Sequence, residues 1–223
     1  MEISSFKKYC NVISLGYICN VYSLLSQVNR NQAKQHKAFD NIATPMWAVY
    51  ELFNNDFADF MKQENLAEKS LFTNNDKKFW IDTKYYIRFL LLQDYAKMKA
   101  RMQLQIDNLL NVCKTENGEI LFIRYEELNS YSKDGDRISF PEYTDKYAKT
   151  ELEYCVMLSD LFKVKYPTLK FKILLMSSND NFVDQEHNIV GIKSPIIDYR
   201  DSDVSKQMYD LIKSHESFLN LHL

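Results

Sequence analysis

Glu119-Ile120-Leu121-Phe122-Ile123-Arg124-Tyr125 is apolar through its centre, with no alternation of apolar and polar residues. A strand with one solvated face alternates, so an unbroken run of this length suits a strand covered on both faces, as in a parallel sheet layered with helices. Three more extended runs flank it in the chain: Asn11-Val12-Ile13-Ser14-Leu15 ahead of Gly16, Leu169 to Met176, and a weaker run from Asn188 to Ile192. Helical spacing fills the gaps. Val21, Leu24, Leu25 and Val28 follow the first strand. Asp94 is placed to cap a long helix carrying Tyr95, Met98, Met102, Ile106, Leu109 and Cys113, ending near Asn117-Gly118. Strands alternating with long helices imply right-handed crossovers, and the expected fold is α/β: three layers, a largely parallel central sheet and helices on both faces.

Other elements follow from local signals. Thr44-Pro45 reads as a cap with proline at the first helical position, opening a helix faced by Met46, Val49, Tyr50, Leu52 and Phe53. Asp56 is read as capping a short helix with Phe57 and Phe60, and Thr144 or Asp145 as capping one that runs to Tyr166-Pro167. A last helix is expected from about Asp203. Between Ser70 and Leu92, short aromatic runs separated by polar turns read as strands or extended loops. The expected organisation is one α/β domain over 1–223, with 65–92 as an insertion or extended subregion.

Charge and cysteine usage narrow the function classes. With 28 Lys+Arg interspersed with 30 Asp+Glu, the net charge is -2, which disfavours a nucleic-acid partner. No run approaches the roughly 18 residues that a membrane span needs. The four cysteines form no CxxC pair and Met1 to Ser5 lacks a signal-peptide pattern, so reduced thiols and a cytoplasmic location are expected. Gly16 stands alone, without a dinucleotide fingerprint or a phosphate-loop lysine. Asp198 to Asp203 lacks the alternation of a calcium loop, so no cofactor and no metal are expected.

In parallel sheets ligands bind beyond the carboxyl ends of the strands, an edge expected to collect Gly16 to Cys19, Arg124 to Glu127 and Ser177 to Asp180. Cys19 then falls where the first strand hands over to a helix. Unpaired N–H groups there favour a thiolate and can receive an oxyanion. A buried structural cysteine is the alternative reading.

The succession Ile13-Ser14-Leu15-Gly16-Tyr17-Ile18-Cys19, then Ala38-Phe39-Asp40, Asn55 to Phe60, Leu121 to Arg124 and Phe171 to Leu175 resembles a family described as putative papain-like cysteine peptidases of unknown function. The resemblance implies a thiol nucleophile at Cys19 and an acid or polar helper near Asp40. Members tend to have proline and tryptophan flanking the Phe-Asp pair, where this chain has Ala38 and Asn41. They also tend to have a His-Asp-aromatic triplet where it has Gln93-Asp94-Tyr95.

A thiol hydrolase needs a base, and His187, followed by Asp198 and Asp201, repeats the Cys, His, Asp order of papain-like enzymes; His36 is the other candidate. Ser14, Gly16 and Tyr17 would line the turn, and Arg124 would meet a carboxylate or phosphate. The leading expectation is a cysteine-dependent hydrolase or acyl-transfer enzyme acting on a small molecule or peptide. The alternative is a ligand-binding or transferase-like domain for an anionic or sugar-bearing molecule, including a non-catalytic family member.

Overall fold

The computed structural model of the chain describes residues 3–16, 21, 24–25, 38–39, 42–70, 78–89, 94–126, 149–177, 179–194 and 204–223. In chain order the strands are β1 (Asn11–Ser14), β2 (Ile42–Ala43), β3 (Leu66–Ser70), β4 (Lys78–Asp82), β5 (Ile87–Phe89), β6 (Glu119–Tyr125), β7 (Lys170–Ser177), β8 (Phe182–Asp184) and β9 (Ile189–Lys193). The longer helices are α1 (Met46–Asn54), α2 (Tyr95–Thr115), α3 (Glu151–Lys165), α4 (Val204–Ser214) and α5 (Glu216–His222).

The central sheet has the order β1-β6-β7-β9-β8, parallel throughout except for β8 at the edge. Alternate residues of its strands feed two separate apolar layers. Ile13, Leu15, Ile120, Phe122, Ile173 and Leu175 join α1, α2 and α3 on one face. Val12, Leu121, Ile123, Leu174 and Met176 join Val21, Leu24, Leu25 and the α4–α5 pair on the other. This is why β6 reads as apolar without alternation: both of its faces are covered. The fold is the expected three-layer α/β arrangement. A second, antiparallel sheet, β2-β5-β4-β3, adds its aromatic residues to the α1–α2 side.

Several local expectations are corrected. Thr44 does not cap α1; the N-cap position is Pro45, and no side-chain hydrogen bond closes the helix start. Asp56 opens no helix, because Asp56, Phe57 and Met61 adopt φ of +55°, +59° and +54° and turn the chain instead. Their neighbourhood is held by Asp82, wholly buried, which accepts from the N–H groups of Met61, Lys84 and Tyr85. Helix α3 starts at Glu151, where Thr150 and Glu153 form a reciprocal capping box. Strand β8 was not expected; its three residues are too few to show a period. Asp94 caps α2 as expected, accepting from Lys97 N–H at 3.1 Å.

Candidate active site at the carboxyl edge of the sheet

The parallel register sets Ser14 level with Ile123, Leu174 and Val190. Gly16, Arg124, Tyr125, Ser177 and Lys193 therefore share the carboxyl edge, the edge expected for a site. Beyond β1 the chain turns at once. Gly16 adopts φ +86°, a left-handed conformation that favours glycine, and its N–H donates to Ser14 Oγ at 3.0 Å. Space makes the same demand, since a Cβ there would lie 3.1 Å from Thr44 Cβ and 3.3 Å from Phe39 Cβ. Phe39 and Thr44 are thus packed directly on the turn. Phe39 is buried against Phe53 and Phe57, with ring centroids 6.1 and 5.9 Å away.

Arg124 ties this corner together. Its side chain is inaccessible to solvent, and Nη1 donates to the Thr44 carbonyl at 2.7 Å and the Leu15 carbonyl at 3.2 Å. Its Nε and Nη2 grip the two Glu151 oxygens at 2.7 and 2.8 Å. A planar fork with several donors is needed to meet three groups at once, which a lysine ammonium does not offer. The carboxylate that Arg124 meets is therefore one of the protein's own, at the first turn of α3.

The three described thiols are all held protonated. Burial pushes Cys113 up to about 12. Burial also raises Cys155, with Glu151 adding to the effect and Arg124 opposing it. Cys10 is raised by burial and by Glu116, and its Sγ–H donates to the Glu119 carbonyl at 3.1 Å. Cys19, Tyr17, Asp40 and His36 lie outside the described residues.

His187 is not brought to this edge. It precedes β9 at the amino end of the parallel strands. Three strand spacings of about 4.8 Å and roughly five residues of about 3.3 Å rise separate its level from that of Gly16. Its Nδ1 bonds Asp184 Oδ2 at 2.7 Å, its Nε2 lies 3.8 Å from Asp160, and its carbonyl accepts from Ser159 Oγ at 2.6 Å. These contacts pin the β8–β9 turn to α3. Among the described residues no three His, Cys, Asp or Glu side chains gather as a metal site, and no helix is long and apolar enough to cross a membrane.

A family described as putative papain-like cysteine peptidase (DUF1796) matches residues 10–181. The chain belongs to this family. The span matched to the putative papain-like cysteine peptidases takes in Gly16, Cys19, Phe39, Asp40, Arg124 and Glu151, and it ends before His187. No curated protein and no solved structure matches the chain.

Sequence reasoning missed two residues of this corner, Thr44 and Glu151. Thr44 was absorbed into a capping signal. Glu151 was passed over because the helix start was expected at Thr144 or Asp145, whereas the cap is Thr150 and Glu151 is the first residue of α3.

Proposed function

We propose that the chain is a cysteine-dependent hydrolase of acyl compounds in which Cys19 is the nucleophile, His36 the base and Asp40 the group that orients it. One observation carries this reading: Phe39 is packed against Gly16, so the two most specific motifs of the family resemblance, far apart in sequence, meet at one corner of the sheet. Asp40 follows one contact residue in the chain, Cys19 follows the other by three positions, and His36 leads into the same segment. Of the other histidines, His187 is committed to the amino edge, and His215 holds its Nδ1 against the Leu211 carbonyl at 2.9 Å.

The chemistry runs in two balanced steps. The thiol proton passes to the imidazole and the sulfur forms a C–S bond to the substrate acyl carbon. The amine or alcohol then leaves with that proton as its bond to the acyl carbon breaks. Water next attacks the thioester, giving up one proton to the base; the acid is released and the thiolate restored. The helix start that the sequence leads one to expect after Gly16 would supply backbone N–H groups for the oxyanion.

Site-resolved iodoacetamide labelling at pH 7 tests the proposal. Cys19 is expected to react at least tenfold faster than Cys10, with Cys113 and Cys155 slower still, and His36→Gln is expected to slow Cys19 alone. Labelling of Cys19 at the rate of Cys10 would overturn it.

A further inference from the structure

Beyond the carboxyl end of β9 an open cleft of about 670 Å³ lies against α4 and the start of α5. Sites for small molecules occupy roughly 300–1,000 Å³, and in parallel sheets they form past the carboxyl ends of the strands. Lys193 and Ser194 line the cleft from the strand, and the Ser194 N–H is fixed to the Ser177 carbonyl at 2.6 Å. Gln207, Asp210 and Ser214, three and four residues apart on one helix face, line it from α4, with Leu211 beside them. Strands β6 and β7 separate β9 from β1, and α4 covers the sheet face opposite to α1. The cleft is therefore apart from the Gly16 corner.

The charges around it leave one carboxylate over. Lys193 Nζ is bound to Asp180 at 2.8 Å, and Lys213, the last cation of α4, to Glu216 at 2.8 Å. Asp210 enters no hydrogen bond or ion pair among the described residues. The neighbouring groups favour the same kind of ligand. The Leu211 carbonyl accepts from Ser214 Oγ at 2.7 Å and faces His215 Nδ1 at 2.9 Å. A carbonyl only accepts, so the ring proton lies on Nδ1 and Nε2 of the neutral ring is an acceptor. The last turn of α4 adds the negative end of its dipole.

A spare carboxylate, an imidazole acceptor and a helix C-terminus together favour a cation. Among the described residues no three His, Cys, Asp or Glu side chains gather here to hold a metal ion, so the cation is organic. We propose that this cleft binds an aliphatic ammonium group, its N–H donors meeting the Asp210 carboxylate and its alkyl chain lying on Leu211. Such charge-assisted hydrogen bonds are about twice as strong as neutral ones. The proposal does not depend on Cys19 being a nucleophile.

The test is calorimetric titration of the full chain with pentylamine, with pentan-1-ol as its neutral counterpart, in about 0.1 M NaCl so that general screening is constant. Pentylamine is expected to bind saturably and to shift the amide NMR signals of Ser194 and Ser214, and pentan-1-ol to bind at least about tenfold more weakly. Asp210→Asn is expected to weaken pentylamine binding about tenfold, the effect of losing one hydrogen bond to a charged group. Asp210 is exposed, so this variant should fold as wild type does. Glu64→Gln, which removes an exposed carboxylate just before β3, should change nothing. A blocked Gly-Lys-Gly peptide titrated alongside identifies the source of the ammonium group: tighter binding than pentylamine points to a lysine side chain, weaker binding to a free amine. Absence of pentylamine binding up to about 10 mM, equal binding of the alcohol, or unchanged affinity in Asp210→Asn would overturn the proposal and leave the proposed hydrolase standing.

Discussion

Arg124 and Glu151 form a two-pronged ion pair, Nε to Oε2 at 2.7 Å and Nη2 to Oε1 at 2.8 Å, on a guanidinium with no solvent exposure. The pair joins the end of β6 to the start of α3. The spare donor of the same guanidinium reaches back to the carbonyls of Leu15 and Thr44. The corner that carries the candidate site is thereby fixed by one buried side chain rather than by the sheet ladder alone. Burying two charges is repaid only when geometry and hydrogen bonding are this complete.

Removing one partner therefore leaves an uncompensated buried charge. Glu151→Ala and Arg124→Ala are each expected to destabilise the fold by about 3–5 kcal/mol, read from urea unfolding. The double variant Arg124→Met/Glu151→Leu is expected to lose less than the sum of the single losses, because no charge is left without its mate. Strictly additive losses would show that the pair does not act as a unit.

Gly16→Ala tests the turn itself. The left-handed backbone costs a residue with a Cβ about 1–2 kcal/mol, and crowding against Thr44 and Phe39 adds to it. For a chain of this size the melting temperature should fall by roughly 2–4 °C for each kcal/mol. An unchanged melting temperature would mean that the turn relaxes freely and does not hold Phe39 and Thr44 in place.

Acid sensitivity is expected at Glu216. Hydrogen bonds from Lys213 Nζ and from the Ser4 hydroxyl and N–H hold its carboxyl down to about 2, tying residues 4–6 to the start of α5. Because the folded value lies below the unfolded value of about 4.3, this contribution is fully present above that pH and is lost as pH falls toward 2. Melting curves of wild type and Glu216→Gln should differ at pH 6 and converge by about pH 2. A gap of constant size across that range would refute the linkage.

The sequence by itself determined the layering. The β6 run could be buried on two faces only in a sheet covered on both sides, and the three- and four-residue spacing from Tyr95 to Cys113 allowed one reading, a long capped helix. It also singled out Gly16, because a lone glycine between a strand and a helix signals a backbone that other residues resist. The edge on which each polar residue falls depends instead on long-range register, and only the tertiary structure decided that. His187 follows Cys19 in an order that papain-like enzymes use, yet β8 returns the chain so that the histidine lies in the turn before β9, at the amino edge. Arg124 sits at a strand end as expected, but a helix start 27 residues later supplies its carboxylate. Thr44 looked like a cap from its neighbour Pro45, and packing on Gly16, 28 positions earlier, gave it another place. Contacts across such separations leave no periodicity in the chain, since they are selected by the packing of whole elements and not by their local propensities.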